Sequence, residues 1–135
     1  MEKIEHIGIA VKDLDTSNDL FEKLLGKPAY KLEEVASEGV ITSFFKSGPN
    51  KIELLAASNP KSPIAKFLDK KGEGIHHVAF AVDDIKSEIN RLKREGFIVL
   101  NEKPKKGADN KLVAFLHPKS SNGVLIELCQ EIPKK

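Results

Sequence analysis

One cysteine, one methionine, one tyrosine and no tryptophan occur in 135 residues, and only 6% of the chain is aromatic. The lone thiol, Cys129, excludes an intramolecular disulfide and any cluster of cysteine metal ligands. Charge of one sign is also lacking: 22 Lys and Arg stand against 20 Asp and Glu, a formal net charge of +2. That excludes a strongly basic nucleic-acid binder, while leaving room for a local basic patch. No apolar run approaches the length of a membrane span, and Met1-Glu2-Lys3-Ile4-Glu5-His6 contains no signal-peptide core. The expectation is a soluble cytoplasmic protein with neither nucleic acid nor membrane as partner.

What is present is a globular composition, 40% hydrophobic and 31% charged. The length suits one domain, residues 1–135, with a core of its own. Internal repetition is the strongest signal. His6-Ile7-Gly8-Ile9-Ala10-Val11-Lys12-Asp13-Leu14 aligns without a gap on His77-Val78-Ala79-Phe80-Ala81-Val82-Asp83-Asp84-Ile85, at an offset of 77 − 6 = 71. Ile52-Glu53-Leu54 then matches Ile126-Glu127-Leu128 at 127 − 53 = 74. Two matches in the same order point to duplication.

The expected elements repeat accordingly. Residues 4–11 alternate as a strand does. Asp13 to Ser17 offer helix caps, Leu20, Phe21, Leu24 and Leu25 form an apolar helical face, and Gly26 stops it. In the second copy Asp83 or Asp84 caps, Ile85, Ile89 and Leu92 form the stripe, and Gly96 ends it. Strand-like runs follow at 29–35, 40–46 and 50–56, then at 97–102, 111–116 and 124–130. The stretch 58–73 links the halves, with a short helix over Pro63 to Leu68. The fold expected is α+β: two tandem βαβββ modules, about 1–57 and 74–135, forming a half-barrel-like curved sheet.

Strand parity selects the candidate site. His6, Gly8 and Ala10 share one face, and Ile7, Ile9 and Val11 the other; His77, Ala79 and Ala81 oppose Val78, Phe80 and Val82 in the same way. In the Ile-Glu-Leu strands the two aliphatics take the packing face and turn the glutamate opposite. A lone strand histidine is more often structural, and a lone strand glutamate usually faces solvent. Both copies preserve both types, however, and a buried carboxylate needs a cation. His6, Glu53, His77 and Glu127 are therefore candidate metal ligands. Two nitrogen and two oxygen donors suit a divalent ion such as Co²⁺, Mn²⁺, Zn²⁺ or Ni²⁺ and leave two positions of a six-coordinate ion open. His76 has the opposite parity and reads as structural or supporting.

These paired modules resemble the vicinal oxygen chelate (glyoxalase) superfamily, and most closely its methylmalonyl-CoA epimerase family. The likeness covers essentially the whole chain. It is carried by Glu5-His6-Ile7-Gly8-Ile9-Ala10-Val11, Lys51-Ile52-Glu53-Leu54-Leu55, Ser62-Pro63-Ile64-Ala65-Lys66-Phe67-Leu68 and Gly74-Ile75-His76-His77-Val78-Ala79-Phe80 with Val82-Asp83-Asp84-Ile85. The C-terminal groups are Phe115-Leu116-His117-Pro118-Lys119-Ser120 and Gly123-Val124-Leu125-Ile126-Glu127-Leu128. The resemblance implies the same four ligands, one divalent metal with Co²⁺ first and Mg²⁺ among the alternatives, and a homodimer. It implies a role in propionate metabolism through interconversion of (R)- and (S)-methylmalonyl-CoA.

Such a reaction removes a proton α to a thioester carbonyl, and the metal offsets the enolate charge. Glu127 is the candidate base. Some family members carry a second catalytic glutamate where the Gly39-Val40-Ile41 match places Thr42 here. A hydroxyl is no base at neutral pH, so Glu53, a metal-bound water or Glu38 are left for the opposite face. Asn110, His117, Lys119 and Ser120 are candidate substrate contacts. Lys105, Lys106, Lys111 and Lys119 read either as a basic rim for the CoA phosphates or as solvated surface lysines. A glyoxalase I-type lactoylglutathione lyase and a metal-free binding protein of the same fold are the alternatives.

Overall fold

The computed structural model describes residues 1–133. Its chain divides into two compact units, His6–His76 and a second formed by Met1–Glu5 with the chain from His77 onward. Each is a βαβββ module.

In the His6–His76 unit the elements are β1 (Lys3–Ala10, its first three residues belonging to the other unit), α1 (Leu14–Leu25), β2 (Lys31–Val35), β3 (Val40–Ser47), β4 (Asn50–Ala57) and α2 (Pro63–Lys71). The strands run in the order β2-β3-β4-β1, with β1 parallel to β4 and the other neighbours antiparallel. Asp13 caps α1 by accepting from the Thr16 N–H, and Gly26 closes it in the left-handed conformation (φ 79°). Ser62 caps α2 through the Ala65 N–H, with Pro63 in the first turn. Helix α1 sets Leu14, Phe21 and Leu25 against Val11, Phe45, Leu54 and Ala56. On the opposite sheet face, Ile64 of α2 fills the space beside Ala10, Val40 and Leu55.

The other unit repeats this plan with β5 (Gly74–Ala81, its last five residues here), α3 (Ile85–Arg94), β6 (Lys105–Lys106), β7 (Lys111–Leu116) and β8 (Ile126–Glu131). The order is β5-β8-β7-β6, again with the first pair parallel and the rest antiparallel. Ile85, Ile89 and Leu92 of α3 are buried against Val82, Ala114, Leu116 and Leu128. Burial of each such aliphatic side chain stabilises by about 1.5–3 kcal/mol, which makes the helix-facing side of each sheet the main source of stability.

Two expectations need correction. Leu20 and Leu24 do not share the packed face of α1: they are 61% and 70% exposed. The stripe that packs is Leu14, Phe21 and Leu25, spaced by seven and four residues; Leu20 and Leu24 each lie about 100° away around the helix. Residues 97–102 form no strand. The segment runs beside β7, with Leu100 N–H donating to the Phe115 carbonyl and His117 N–H to that of Ile98, and leaves one isolated bridge, Val99 to Leu116. The Asn101 side chain accepts the Phe115 N–H, taking a place that a backbone carbonyl fills in a ladder. The strand that follows α3 in this unit is the two-residue β6 beyond it.

Candidate active site

Each unit carries one half-site of the same construction. In the first, the β1–β4 register sets Gly8 beside Glu53, and the β3–β4 register sets Phe44 on the other side of Glu53. Paired residues share a sheet face, so the Glu53 carboxylate lies between a residue without a side chain and an aromatic ring. His6, two residues before Gly8, reaches across the gap: its Nε2 is 3.3 Å from Glu53 Oε1. The Phe44 ring stands edge-on to the imidazole, with centroids 6.4 Å apart and planes at 88°. His6 and Glu53 are 5% and 4% exposed.

The second half-site repeats every part. Ala79 takes the place of Gly8 beside Glu127, and Phe115 takes that of Phe44. His77 Nε2 lies 3.2 Å from Glu127 Oε1, and Phe115 meets the His77 ring at 6.1 Å and 88°. His77 and Glu127 are 3% and 6% exposed. Small residues on this face leave room for the polar groups, while Ile52, Leu54, Ile126 and Leu128 occupy the helix-facing side.

Phe44 and Phe115 belong to the half-sites but are not among the site residues expected from the sequence, although Phe115 opens one of the motifs that carry the resemblance. Their signal was available: 115 − 44 = 71, the offset of the histidine repeat. A buried His–Glu pair with an aromatic edge excluding water has two uses. It can exist as a neutral donor–acceptor pair, or its Nε2 and carboxylate oxygen can ligate a cation together. The donors, imidazole nitrogen and carboxylate oxygen, fit a first-row divalent ion.

The other sequence candidates have definite places. Thr42 is 1% exposed on the half-site face, and its hydroxyl donates to the Glu33 carbonyl at 3.2 Å. Glu38 lies in a single 3₁₀ turn, Ala36–Glu38. His76 packs its ring edge against Phe67 at 4.9 Å, which fits the structural reading. Asn110 donates from its side-chain nitrogen to the Ile132 carbonyl. His117, Pro118, Lys119 and Ser120 form a self-capped 3₁₀ turn after β7: the Lys119 N–H donates to His117 Nδ1 at 2.9 Å, and the Ser120 hydroxyl donates to the His117 carbonyl. Accepting at Nδ1 leaves the neutral His117 ring with its proton on Nε2. Lys105, Lys106 and Lys119 are exposed. Lys111 is not a solvated surface residue: it is 8% exposed, with Nζ 3.8 Å from Glu131 Oε1.

Known proteins resemble this chain over most of its length. The profile of the Glyoxalase/Bleomycin resistance protein/Dioxygenase superfamily matches residues 5–115. The mitochondrial methylmalonyl-CoA epimerase of Dictyostelium discoideum is 42% identical over 93% of this chain and 76% of its own. The ethylmalonyl-CoA/methylmalonyl-CoA epimerase of Cereibacter sphaeroides is 41% identical over 95% of this chain and 97% of its own. Among solved structures, a variant of Streptomyces coelicolor methylmalonyl-CoA epimerase in complex with 2-nitronate-propionyl-CoA superposes with a TM-score of 0.94. It is 31% identical and covers 100% of this chain and 98% of that one. The α+β architecture of two βαβββ repeats expected from the sequence is thus the glyoxalase fold. The chain belongs to the glyoxalase/bleomycin resistance protein/dioxygenase superfamily and, within it, to the methylmalonyl-CoA epimerase family.

Proposed function

We propose that this protein is a metal-dependent methylmalonyl-CoA epimerase, interconverting the (R) and (S) thioesters through removal and return of the α-proton. The observation that carries the reading is the duplicated His–Glu pair, His6 with Glu53 and His77 with Glu127, in a chain whose relatives are named for this activity. A divalent cation, with His6, Glu53, His77 and Glu127 as its proposed ligands, would supply Lewis-acid stabilisation of the enolate charge when bound. Co²⁺ heads the candidates, with Mn²⁺, Zn²⁺, Ni²⁺ and Mg²⁺ compatible with the same donors.

The chain's own residues account for the proton transfers. Glu127 is the base that removes the α-proton. The Glu127 carboxylate is buried beside His77, its Oε1 3.2 Å from the His77 Nε2. Thr42 has no place as the second base, since its hydroxyl is a donor to a backbone carbonyl. Glu53, the duplicated counterpart of Glu127, is the residue proposed to return a proton on the opposite face. Phe44 and Phe115 shield the two histidines from water and fix their ring planes. The substrate is an acyl-CoA, with the protein working as a cytoplasmic homodimer, and His117, Lys119, Ser120 and Asn110 at the turn and loop of the second unit are the proposed substrate contacts.

The test is α-proton exchange. Methylmalonyl-CoA is incubated with the protein in D₂O, before and after metal is stripped and restored, and the α-proton and methyl signals are followed by NMR. Deuterium uptake with inversion that depends on metal is the expected result. A folded, metal-loaded sample that leaves the α-proton in place overturns the reading.

A further inference from the structure

The duplication supplies an internal control: where the two units differ at matched positions, the fold does not dictate the difference. One group of such differences lies on the half-site face of the His6–His76 unit. Lys46 stands directly opposite Lys51 across the β3–β4 ladder, and Lys51 is in turn the register partner of His6 on β1. Lys31 is the register partner of Phe44 on β2. Paired residues share a face, so three lysines project from one side of this sheet beside the His6–Glu53 pair, with Lys31 Nζ 3.4 Å from Oε1 of Glu33 on the same strand face. Like charges placed directly opposite each other in a ladder are unfavourable, and nothing in strand propensity calls for them.

An aromatic surface lies among these lysines. Tyr30, the sole tyrosine of the chain, is 39% exposed. Its ring leans on Phe44 at 6.0 Å, and Lys46 Nζ sits 5.1 Å from its centroid. The backbone match is close: Tyr30 N–H donates to the Phe44 carbonyl as Leu100 N–H does to that of Phe115. By this correspondence, and by the Glu53–Glu127 and Phe44–Phe115 matches, the other unit has Leu100, Asn101, His117 and Leu125 in place of Tyr30, Lys31, Lys46 and Lys51. Only one copy of the repeat therefore carries a cationic and aromatic patch beside its half-site.

We propose that Tyr30, Lys31, Lys46 and Lys51 form the subsite for the nucleotide end of the thioester substrate, with the base against Tyr30 and the phosphates at the lysines. The chemistry required is a polyanion joined to a planar ring, which is what a phosphorylated adenosine offers. Aromatic side chains accept a base face, and lysines supply the charge and donors for phosphate. Lys46 lies against the Tyr30 ring, so a base on that ring brings its phosphates to Lys46. This inference rests on the proposed acyl-CoA activity for its substrate, but the patch is testable without it.

The probe is adenosine 3′,5′-bisphosphate, the nucleotide portion of coenzyme A, titrated by calorimetry into the metal-loaded protein. Binding that weakens about tenfold in the Lys46→Gln/Lys51→Gln variant and in Tyr30→Leu is expected, with Tyr30→Phe close to wild type. Steady-state kinetics then compare methylmalonyl-CoA with the pantetheine thioester, which lacks the nucleotide. The lysine variant should raise KM about tenfold for the CoA thioester alone and leave kcat unchanged for both. Equal changes for the two thioesters, or nucleotide binding indifferent to all three variants, overturn the subsite. If neither thioester reacts but the nucleotide binds in this pattern, the activity fails and the subsite stands. Melting temperatures of the variants, expected to be unchanged, separate these outcomes from misfolding.

Discussion

The His77 imidazole and the Glu127 carboxylate meet at 3.2 Å, Nε2 to Oε1, and the Phe115 ring closes the space behind them edge-on. Both polar groups are more than nine-tenths buried, so neither has water to take its partner's place. The same relationship, within 0.1 Å, joins His6 to Glu53. Duplicated local geometry of this kind makes the two pairs comparable by substitution.

Glu127→Gln keeps the shape and one acceptor oxygen but removes the base. It should lower α-proton exchange by at least about 10²-fold, within the usual contribution of a positioned base. Far-ultraviolet circular dichroism should stay unchanged. Exchange in D₂O within threefold of wild type would remove Glu127 from the proton transfer.

Metal removal should be visible in stability as well as in activity. Without a cation, the Glu53 and Glu127 carboxylates remain buried beside their histidines. At metal concentrations of 100 times Kd or more, binding adds about 3 kcal/mol, roughly 10 °C for a chain of this size. Chelation should lower the melting temperature by that order, and added Co²⁺ should restore it. Glu53→Gln retains a ligating oxygen and should preserve most of the metal-dependent shift, whereas Glu53→Leu should lose it. A melting temperature indifferent to chelator and metal would sink the four-ligand assignment.

The half-sites were legible because duplication wrote them twice. Neither His6 nor Glu53 alone distinguishes a ligand from a structural residue, but a histidine strand and a glutamate strand in one order, with small residues on the polar side, constrain the face of each. The misplaced features depend on tertiary detail that periodicity does not carry. Leu20 and Leu24 satisfy a helical repeat as well as Phe21 and Leu25 do, and only the direction of the sheet decides which pair packs. Residues 97–102 have strand composition, yet a side-chain acceptor from Asn101 replaces a ladder bond there. Lys111 looked like its exposed neighbours until the pairing of β7 with β8 buried it.

Two glycines with similar backbone angles should respond differently to alanine. Gly26 ends α1 at φ 79° with open space around an added Cβ, so Gly26→Ala meets only the conformational cost, about 1 kcal/mol. Gly39 holds φ 67°, and a Cβ there would sit 2.6 Å from Cβ of Ser62, the cap of α2. Gly39→Ala must therefore also displace the start of that helix and should cost about 3 kcal/mol. Urea denaturation of the two variants checks the order; equal midpoints would contradict the close approach.

The acid limb of the stability profile offers a separate test, far from the half-sites. Glu88 on α3 accepts from Arg91 Nε at 2.6 Å and lies 3.4 Å from the Met1 amino group. Hydrogen bonding to Arg91 is the main cause that holds its carboxyl below the ordinary value of 4.5. A carboxyl depressed in the folded state contributes stability above its unfolded pKa and loses it as pH falls through the folded pKa. Glu88→Gln should thus destabilise the protein at pH 7, by under about 1 kcal/mol because Arg91 is solvent-exposed. The gap to wild type should begin to close as pH drops below about 4.5 and vanish once the wild-type carboxylate is protonated. It should also shrink in 1 M salt, where the Debye length falls to about 3 Å. Unfolding midpoints for both proteins between pH 7 and pH 3 measure it, and a gap that widens on acidification would reverse the sign assigned to Glu88.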